Sequence, residues 1–265
     1  MGGVRRLSTG PVTVVKLGGS VITDKRVAFS YREKAVRALG RRMASTGLPV
    51  VVVHGGGSFG HTVAKKYGLS SRRSARSPVG VSETRGAMLN LDAKVCASLS
   101  SAGMHPYPFS PFTLLDREGE GGSSFIERLL EAGMTPVTFG DVVHDGKGFR
   151  ILSGDTMCVE LSQMLGAARC VMAIDVDGLL DERGAVIKVL GDKGNARIPD
   201  FRLSAKGEDA TGGMALKISE AIRMAASGTE VRLVSGLRPA EFCKALKGVS
   251  FHGTTVKVPY RVSSG

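Results

Sequence analysis

Short β-branched runs alternate with stretches of helical period along most of the chain. Val12 to Leu17 and Val50 to Val53 are compact apolar runs closing on glycines, the pattern of strands buried on both faces. Between them Ala35, Val36, Leu39 and Met43 recur at helical spacing from Ser30 to Thr46, and Gly47 fits a C-cap. Strand, helix, strand in that order predicts a parallel pair with a crossover helix. Ser58 to Tyr67 reads as helix, and Val81 to Ala102 as a long one with Met88, Leu91, Val95 and Leu99 on one face. His105 to Phe109 carries Pro106 and Pro108, which suits an edge segment. Then come a helix over Ser123 to Ala132, an extended Pro136 to Phe139, and a hairpin from Val142 to Leu152 turning at Asp145-Gly146. A helix follows Ser153 as far as Leu165, and Arg169 to Ile174 is another buried strand. Leu179 to Lys206 is poorly periodic and reads as a hairpin with a variable loop. A helix from Met214, a strand from Thr229 to Val234, a helix from Pro239 to Leu246 and a strand from Thr254 to Val258 close the chain. The alternation predicts an α/β fold on a mostly parallel sheet, as one large domain or two lobes sharing the sheet.

The chemistry gathers where strands meet glycines. His54-Gly55-Gly56-Gly57-Ser58-Phe59-Gly60-His61 follows the second strand and opens a helix. Glycines there allow close backbone approach to an anion, and the helix's first N–H groups add donors; a tight corner needing glycine for geometry alone is the other reading. His61, one turn on, is placed to donate to the same anion. The first strand carries Lys16 and runs into Gly18-Gly19-Ser20, with Lys25 shortly after. Two cations beside one backbone nest suit a polyphosphate, although Lys25 also reads as a solvated loop lysine. Lys16, inside an apolar strand, needs a charge partner or a ligand. Asp155 in Ser153-Gly154-Asp155 either caps its helix or orients the lysines. Asp175-Val176-Asp177-Gly178 ends a strand as a turn or as a border to a nucleotide. Asp209-Ala210-Thr211-Gly212-Gly213 opens a helix bearing Lys217, and a lysine so near a helix N-terminus asks for a negative neighbour.

Composition narrows the classes. Lys and Arg number 36 against 24 Asp and Glu, a net charge of +12, which fits nucleic acid, a membrane surface or a phosphorylated small molecule. The densest basic cluster, Arg72, Arg73 and Arg76, lies in a Ser-rich stretch without interleaved aromatics, which reads as a solvated loop and not a nucleic-acid platform. No run approaches the roughly 18 apolar residues of a membrane span, and no leader pattern stands at the N-terminus. Cys96, Cys158, Cys170 and Cys243 are scattered, which indicates neither a zinc site nor a disulfide framework; they read as small core residues of a cytoplasmic protein. Two anion nests with three lysines, and no serine-histidine-aspartate arrangement, point to phosphoryl transfer by positioning and charge neutralisation. Neither a Walker A sequence nor a protein-kinase signature is present.

Taken together, the stretch from Lys16 to Lys25, that from His54 to His61, Asn90-Leu91-Asp92, Gly140-Asp141-Val142, Ser153-Gly154-Asp155, Asp175 to Gly178 and Asp209 to Gly213 resemble the amino acid kinase superfamily in their order, most closely its isopentenyl phosphate kinase branch. The pairing of Lys25 with His61 points to the branch. The resemblance implies an open αβα sandwich, with the acceptor in about residues 12–165 and ATP in about 166–262 of a single domain. It implies transfer from ATP to isopentenyl phosphate with magnesium, in isoprenoid precursor synthesis, and a homodimer with no nucleic-acid or membrane partner. By the same resemblance Lys16 and Lys217 stabilise the transferring phosphoryl group, Lys25 contacts phosphates and Asp155 orients lysines. His61 with Gly56 and Gly57 holds the acceptor phosphate beside Gly154. Lys16, Gly18, Gly19, Ser20, Asp175, Asp177, Gly178, Gly212 and Lys217 border the nucleotide, and no protein metal ligand is assigned. The sequence departs from the family at Ile174, where a threonine is usual, at Ser235-Gly236 in place of Asn-Gly, and over Leu179 to Glu208. Rival readings are a fosfomycin kinase, a glutamate or acetylglutamate kinase, and a non-catalytic nucleotide or nucleic-acid binder.

Overall fold

The computed structural model describes residues 10–69, 77–111, 113, 121–144, 146–191 and 213–257. Its strands are β1 (Thr13–Leu17), β2 (Val50–His54), β3 (Pro106–Pro108), β4 (Thr135–Phe139), β5 (Asp141–His144), β6 (Phe149–Leu152), β7 (Arg169–Ile174), β8 (Val189–Leu190), β9 (Glu230–Ser235) and β10 (Gly253–Val256). The helices are α1 (Gly19–Ile22), α2 (Glu33–Ala44), α3 (Gly57–Lys66), α4 (Pro78–Ser100), α5 (Gly121–Glu131), α6 (Gly154–Met164), α7 (Gly213–Ala226) and α8 (Pro239–Lys247). Eight strands form one sheet in the order β3-β4-β2-β1-β7-β9-β10-β8, while β5 and β6 form a separate hairpin. Pairing from β3 through to β9 is parallel; only β10 runs antiparallel to β9.

Alternation along the central strands builds the two apolar layers. Val14, Val51, Cys170 and Met172 face one way, onto α6 and α7, with Met157, Leu161, Ala221 and Met224. Val15, Leu17, Val52, Val171 and Ala173 face the other way, onto α2, α4 and α8, with Leu39, Leu91, Val95 and Phe242. Helices cover both faces, as a sheet of strands with two apolar sides demands. The mostly parallel α/β sheet predicted by the alternation, and the αβα sandwich that the resemblance implies, are the architecture found.

Most of the expected elements are present with shifted ends. The long helix starts earlier, at Pro78, because the Ser77 hydroxyl accepts the Gly80 N–H and a proline at the first helical position is already set to helical φ. Pro106–Pro108 is indeed an edge strand, where prolines cost the fewest ladder bonds. Val21 and Ile22 belong to the four-residue α1. Two cysteines, Cys158 and Cys170, are core residues; Cys96 and Cys243 are only half-buried, which corrects their reading as core. Asp145, Val258, the basic cluster at residues 72–76 and much of the 179–206 segment lie outside the described residues. In the described part of that last segment Leu180 bridges Val186 in antiparallel sense.

Candidate active site

The carboxyl ends of β1, β2, β4 and β7 are adjacent, and each runs into a glycine turn or an acidic one. In an open α/β sheet this edge is where ligands bind. Lys16 shares the alternation of Val14 and so points to the face covered by α6. There its ammonium group donates to Asp155 Oδ1 in a pair almost wholly removed from water, with side chains 5% and 9% exposed. Lys217, from the opening of α7, lies 3.5 Å from Asp155 Oδ2. One carboxylate therefore bridges two ammonium groups, leaving one positive charge in excess at the site.

Burial by itself would raise the Asp155 carboxyl; the Lys16 and Lys217 charges override it and hold it below the ordinary carboxylate range. The Lys217 ammonium is pushed down, by burial first and then by the charge of Lys16, with Asp155 opposing and Lys25 adding to the repulsion. Lys25 is thus within electrostatic reach of Lys217, although it sits exposed on the loop after α1. An anion placed among these cations would relieve that repulsion.

Ser153 caps α6, its hydroxyl accepting the Thr156 N–H at 3.0 Å, which leaves Asp155 to face the lysines. Gly154 adjoins the Lys16 stem and the His54 carbonyl: a Cβ there would lie 3.5 Å and 3.3 Å from them. The first turns of α6 and α3 open at this edge; of the N–H groups that a helix leaves without an intrahelical partner there, that of Thr156 goes to the Ser153 hydroxyl and that of Ser58 to the Thr23 hydroxyl.

The glycine triplet divides its roles. Gly57 is left-handed (φ +48°), and a side chain on it would strike Thr23, while one on Gly19 would come within 2.5 Å of the Gly57 nitrogen. Gly55 and Gly57 thus let the two glycine turns pack backbone to backbone. Gly56 looks instead toward Met88 and His61, whose ring carbon would be 3.3 Å from an added Cβ. His61 is exposed, one turn into α3. Gly18, buried, donates its N–H to the Ala173 carbonyl at 3.0 Å, and the Ser20 carbonyl accepts from Arg32 at 3.1 Å.

On the other side of β1, Asp175 is exposed at the tip of β7, and Asp177 pairs with Arg238 at 2.9 Å with His252 3.7 Å away. Gly178 packs against Thr254, whose hydroxyl accepts the Leu179 N–H. Gly212 lies outside the described residues. Among the described residues no group of three His, Cys, Asp or Glu side chains gathers as a metal site.

A polar network lies beneath the glycine turn. His54, with no exposed surface, stacks on Phe139 and holds Asp92 of α4 through Nε2 at 3.1 Å. Also from α4, Arg85 pairs with the buried Asp141 and donates to Ser110 at 3.2 Å. Asp92 and Asp141 occur in the motifs singled out above, but Arg85 and this pairing were not read from the sequence. The available signal was Asp92 at a core-facing position, one turn from Met88 on the apolar face of α4.

Burial raises the Asp141 carboxyl to about 6, and the Asp92 charge pushes the same way, against the Val142 N–H and Arg85. A carboxyl higher in the fold than its ordinary 3.8 binds more protons folded than unfolded between those values. Its contribution to stability therefore grows as pH falls through about 6 and fades as pH rises. Asp141→Asn has no such titration, so its Tm relative to the parent should be most favourable near neutral pH and decline toward about pH 5. Melting curves across that range check this; a constant difference would contradict it.

Comparison with known proteins agrees with this geometry. The model of the amino acid kinase family matches residues 11–235. An isopentenyl phosphate kinase of Thermoplasma acidophilum is 33% identical over 248 residues, covering 92% of this chain and 99% of its own. One of Haloferax volcanii is 37% identical over 222 residues, covering 81% and 89%. The crystal structure of the T. acidophilum isopentenyl phosphate kinase product complex superposes with a TM-score of 0.73 at 29% identity, covering 93% of this chain and all of that one.

Proposed function

Because the chain belongs to the amino acid kinase family and to its isopentenyl phosphate kinase branch, we propose that it transfers the terminal phosphoryl group of ATP to isopentenyl phosphate, giving isopentenyl diphosphate and ADP. The observation that carries this reading is the meeting of Lys16 and Lys217 on Asp155 beside Gly154, next to the glycine turn that leads to His61.

An oxygen of the acceptor phosphate attacks the terminal phosphorus of ATP. The bond to the bridging oxygen breaks, and its electron pair leaves on ADP. The acceptor is already ionised near neutral pH, so no proton has to be removed and no general base is required. The work left to the protein is alignment and neutralisation of the charge spread over the transferring group. Lys16 and Lys217 do this from one side, with Asp155 setting their position, and Lys25 adds charge from the loop. His61, with the backbone at Gly56 and Gly57, holds the acceptor phosphate, and Gly154 leaves room beside it. Gly18, Gly19, Ser20, Asp175, Asp177, Gly178 and Gly212 border the nucleotide in this reading. Magnesium fits as an ion carried on the ATP phosphates, since Asp155 and Asp177 are already engaged by cations. The same reading makes the enzyme a cytoplasmic homodimer without nucleic-acid or membrane partners. Its supports are four unpaired cysteines, exposed Val79 and Leu89 on α4, and the absence from the described residues of any helix long and apolar enough to cross a membrane.

The role given to His61 has its own test. A hydrogen bond to a charged acceptor contributes about 1.5–3 kcal/mol, so His61→Ala should lower kcat/KM by roughly ten- to a few hundredfold. His61→Gln, which keeps an N–H donor, should recover part of that. An alanine variant with unchanged kinetics would take His61 out of the site. A glutamine variant as poor as the alanine one, with the parent rate following a single histidine-like ionisation, would make it an acid–base group. An ADP-release assay over isopentenyl phosphate, dimethylallyl phosphate, fosfomycin and acetylglutamate separates the proposed acceptor from its rivals. Isopentenyl phosphate should give the highest kcat/KM.

A further inference from the structure

The loop that carries Lys25 is fastened to helix α3 through Ser58. Ser58, 2% exposed in the second position of α3, uses its backbone N–H, its carbonyl and its hydroxyl on that loop. Its N–H donates to the Thr23 hydroxyl at 2.9 Å, and the Thr23 hydroxyl in turn donates to the Gly19 carbonyl at 2.7 Å. The Ser58 carbonyl accepts the Phe29 N–H at 3.2 Å. The Ser58 hydroxyl accepts the Ser30 N–H and donates to the Ser30 carbonyl, both at 3.1 Å. Ser30 then closes the loop on itself, its hydroxyl accepting the Asp24 N–H at 3.1 Å.

Phe29 adds a second fastening. It has φ +56°, the one left-handed backbone among the described non-glycine residues, and its ring meets Phe59 edge-on with centroids 5.4 Å apart. A bulky side chain in that region is strained by about 1–3 kcal/mol and persists only where its surroundings hold it. Here they are the Ser58 carbonyl and the Phe59 ring.

We propose that Ser58, with Phe29 as its second anchor, is a positioning residue that fixes Lys25 relative to Lys217 and to His61 three residues along the same helix. The proposal rests on the reading of Lys25 given above. An exposed lysine has many rotamers, and a loop pinned on both sides of it at Thr23 and Phe29–Ser30 removes the backbone share of that freedom. Alignment errors as small as about 1 Å are enough to slow a positioned transfer strongly. The electrostatic influence of Lys25 on Lys217 fits a loop held toward the site.

A double-mutant cycle tests this, with kcat/KM for isopentenyl phosphate and Tm both measured. Ser58→Ala removes the two hydroxyl bonds and leaves the backbone ones. If the clamp positions Lys25, then Lys25→Ala lowers kcat/KM in the parent, and its effect shrinks by about tenfold in the Ser58→Ala background, a coupling within the range of residues acting as one unit. Phe29→Gly provides a second route should Ser58→Ala fail to fold, since glycine accepts the left-handed backbone and removes only the ring; it should also shrink the Lys25 effect. A purely structural Ser58 would lower Tm while Lys25→Ala kept its full effect in both backgrounds, and that additivity overturns the clamp alone. A Lys25→Ala enzyme with parent kinetics overturns the clamp together with the assignment of Lys25 to the site.

Discussion

Lys217→Ala is expected to lower kcat by about a hundred- to a thousandfold, the loss typical when one preorganised donor to a developing charge is removed, while the acceptor's KM changes little. Lys217 is neither fully buried nor free, with a side chain 22% exposed and held 3.5 Å from Asp155. Its ammonium is repelled by Lys16 and desolvated, so it is poised to gain from an anion that reaches it. That gain is greatest when charge spreads over the transferring group, and an interaction made mainly in the transition state appears in kcat more than in KM. Lys16→Ala should act in the same direction. Steady-state kinetics over both substrates decides: a variant at either position with near-parent kcat would contradict the role assigned to that lysine.

Asp155→Ala is expected to damage both fold and turnover. Removing one member of a buried ion pair leaves the other charge uncompensated, at about 3–5 kcal/mol, and here Lys16 is 4% exposed with a second ammonium nearby. For a domain of this size each 1 kcal/mol moves Tm by about 2–4 °C, so the fall should be on the order of ten degrees. The double variant Lys16→Met with Asp155→Ala removes both buried charges and should regain most of the Tm while staying inactive. Recovery of activity along with stability would mean that the pair serves the fold only.

Much of this fold was legible because the strands are short β-branched runs between glycines and the helices keep a clear period. The Val50–Val53 run, the Met88-Leu91-Val95-Leu99 stripe and the prolines of the edge strand each have one natural reading. Lys16 was conspicuous in the sequence for a physical reason: a cation inside an apolar strand needs a partner. The partner came from Asp155, 139 residues away, and only the alternation of β1 against the position of α6 brings the two together. What stayed hidden depends on tertiary approach. Arg85 lies on a mostly polar flank of α4 and looks like a surface residue until β5 delivers Asp141 to it. Ser58 reads as one more small residue in a glycine turn; its four hydrogen bonds to the 23–30 loop depend on how two turns from different strands meet. Gly57 shows the same limit, since its φ and its contact with Thr23 belong to that meeting.

The most direct test of the central claim follows the phosphorus itself. Purified protein, ATP, magnesium and isopentenyl phosphate are incubated together, and phosphorus NMR is recorded as the reaction proceeds. The account predicts that the monophosphate resonance is replaced by a pair of coupled diphosphate resonances from isopentenyl diphosphate, in step with ADP and in equal amount, with no release of inorganic phosphate. Consumption of ATP to inorganic phosphate, or an unchanged isopentenyl phosphate signal under conditions in which the same protein phosphorylates acetylglutamate or fosfomycin, would contradict it.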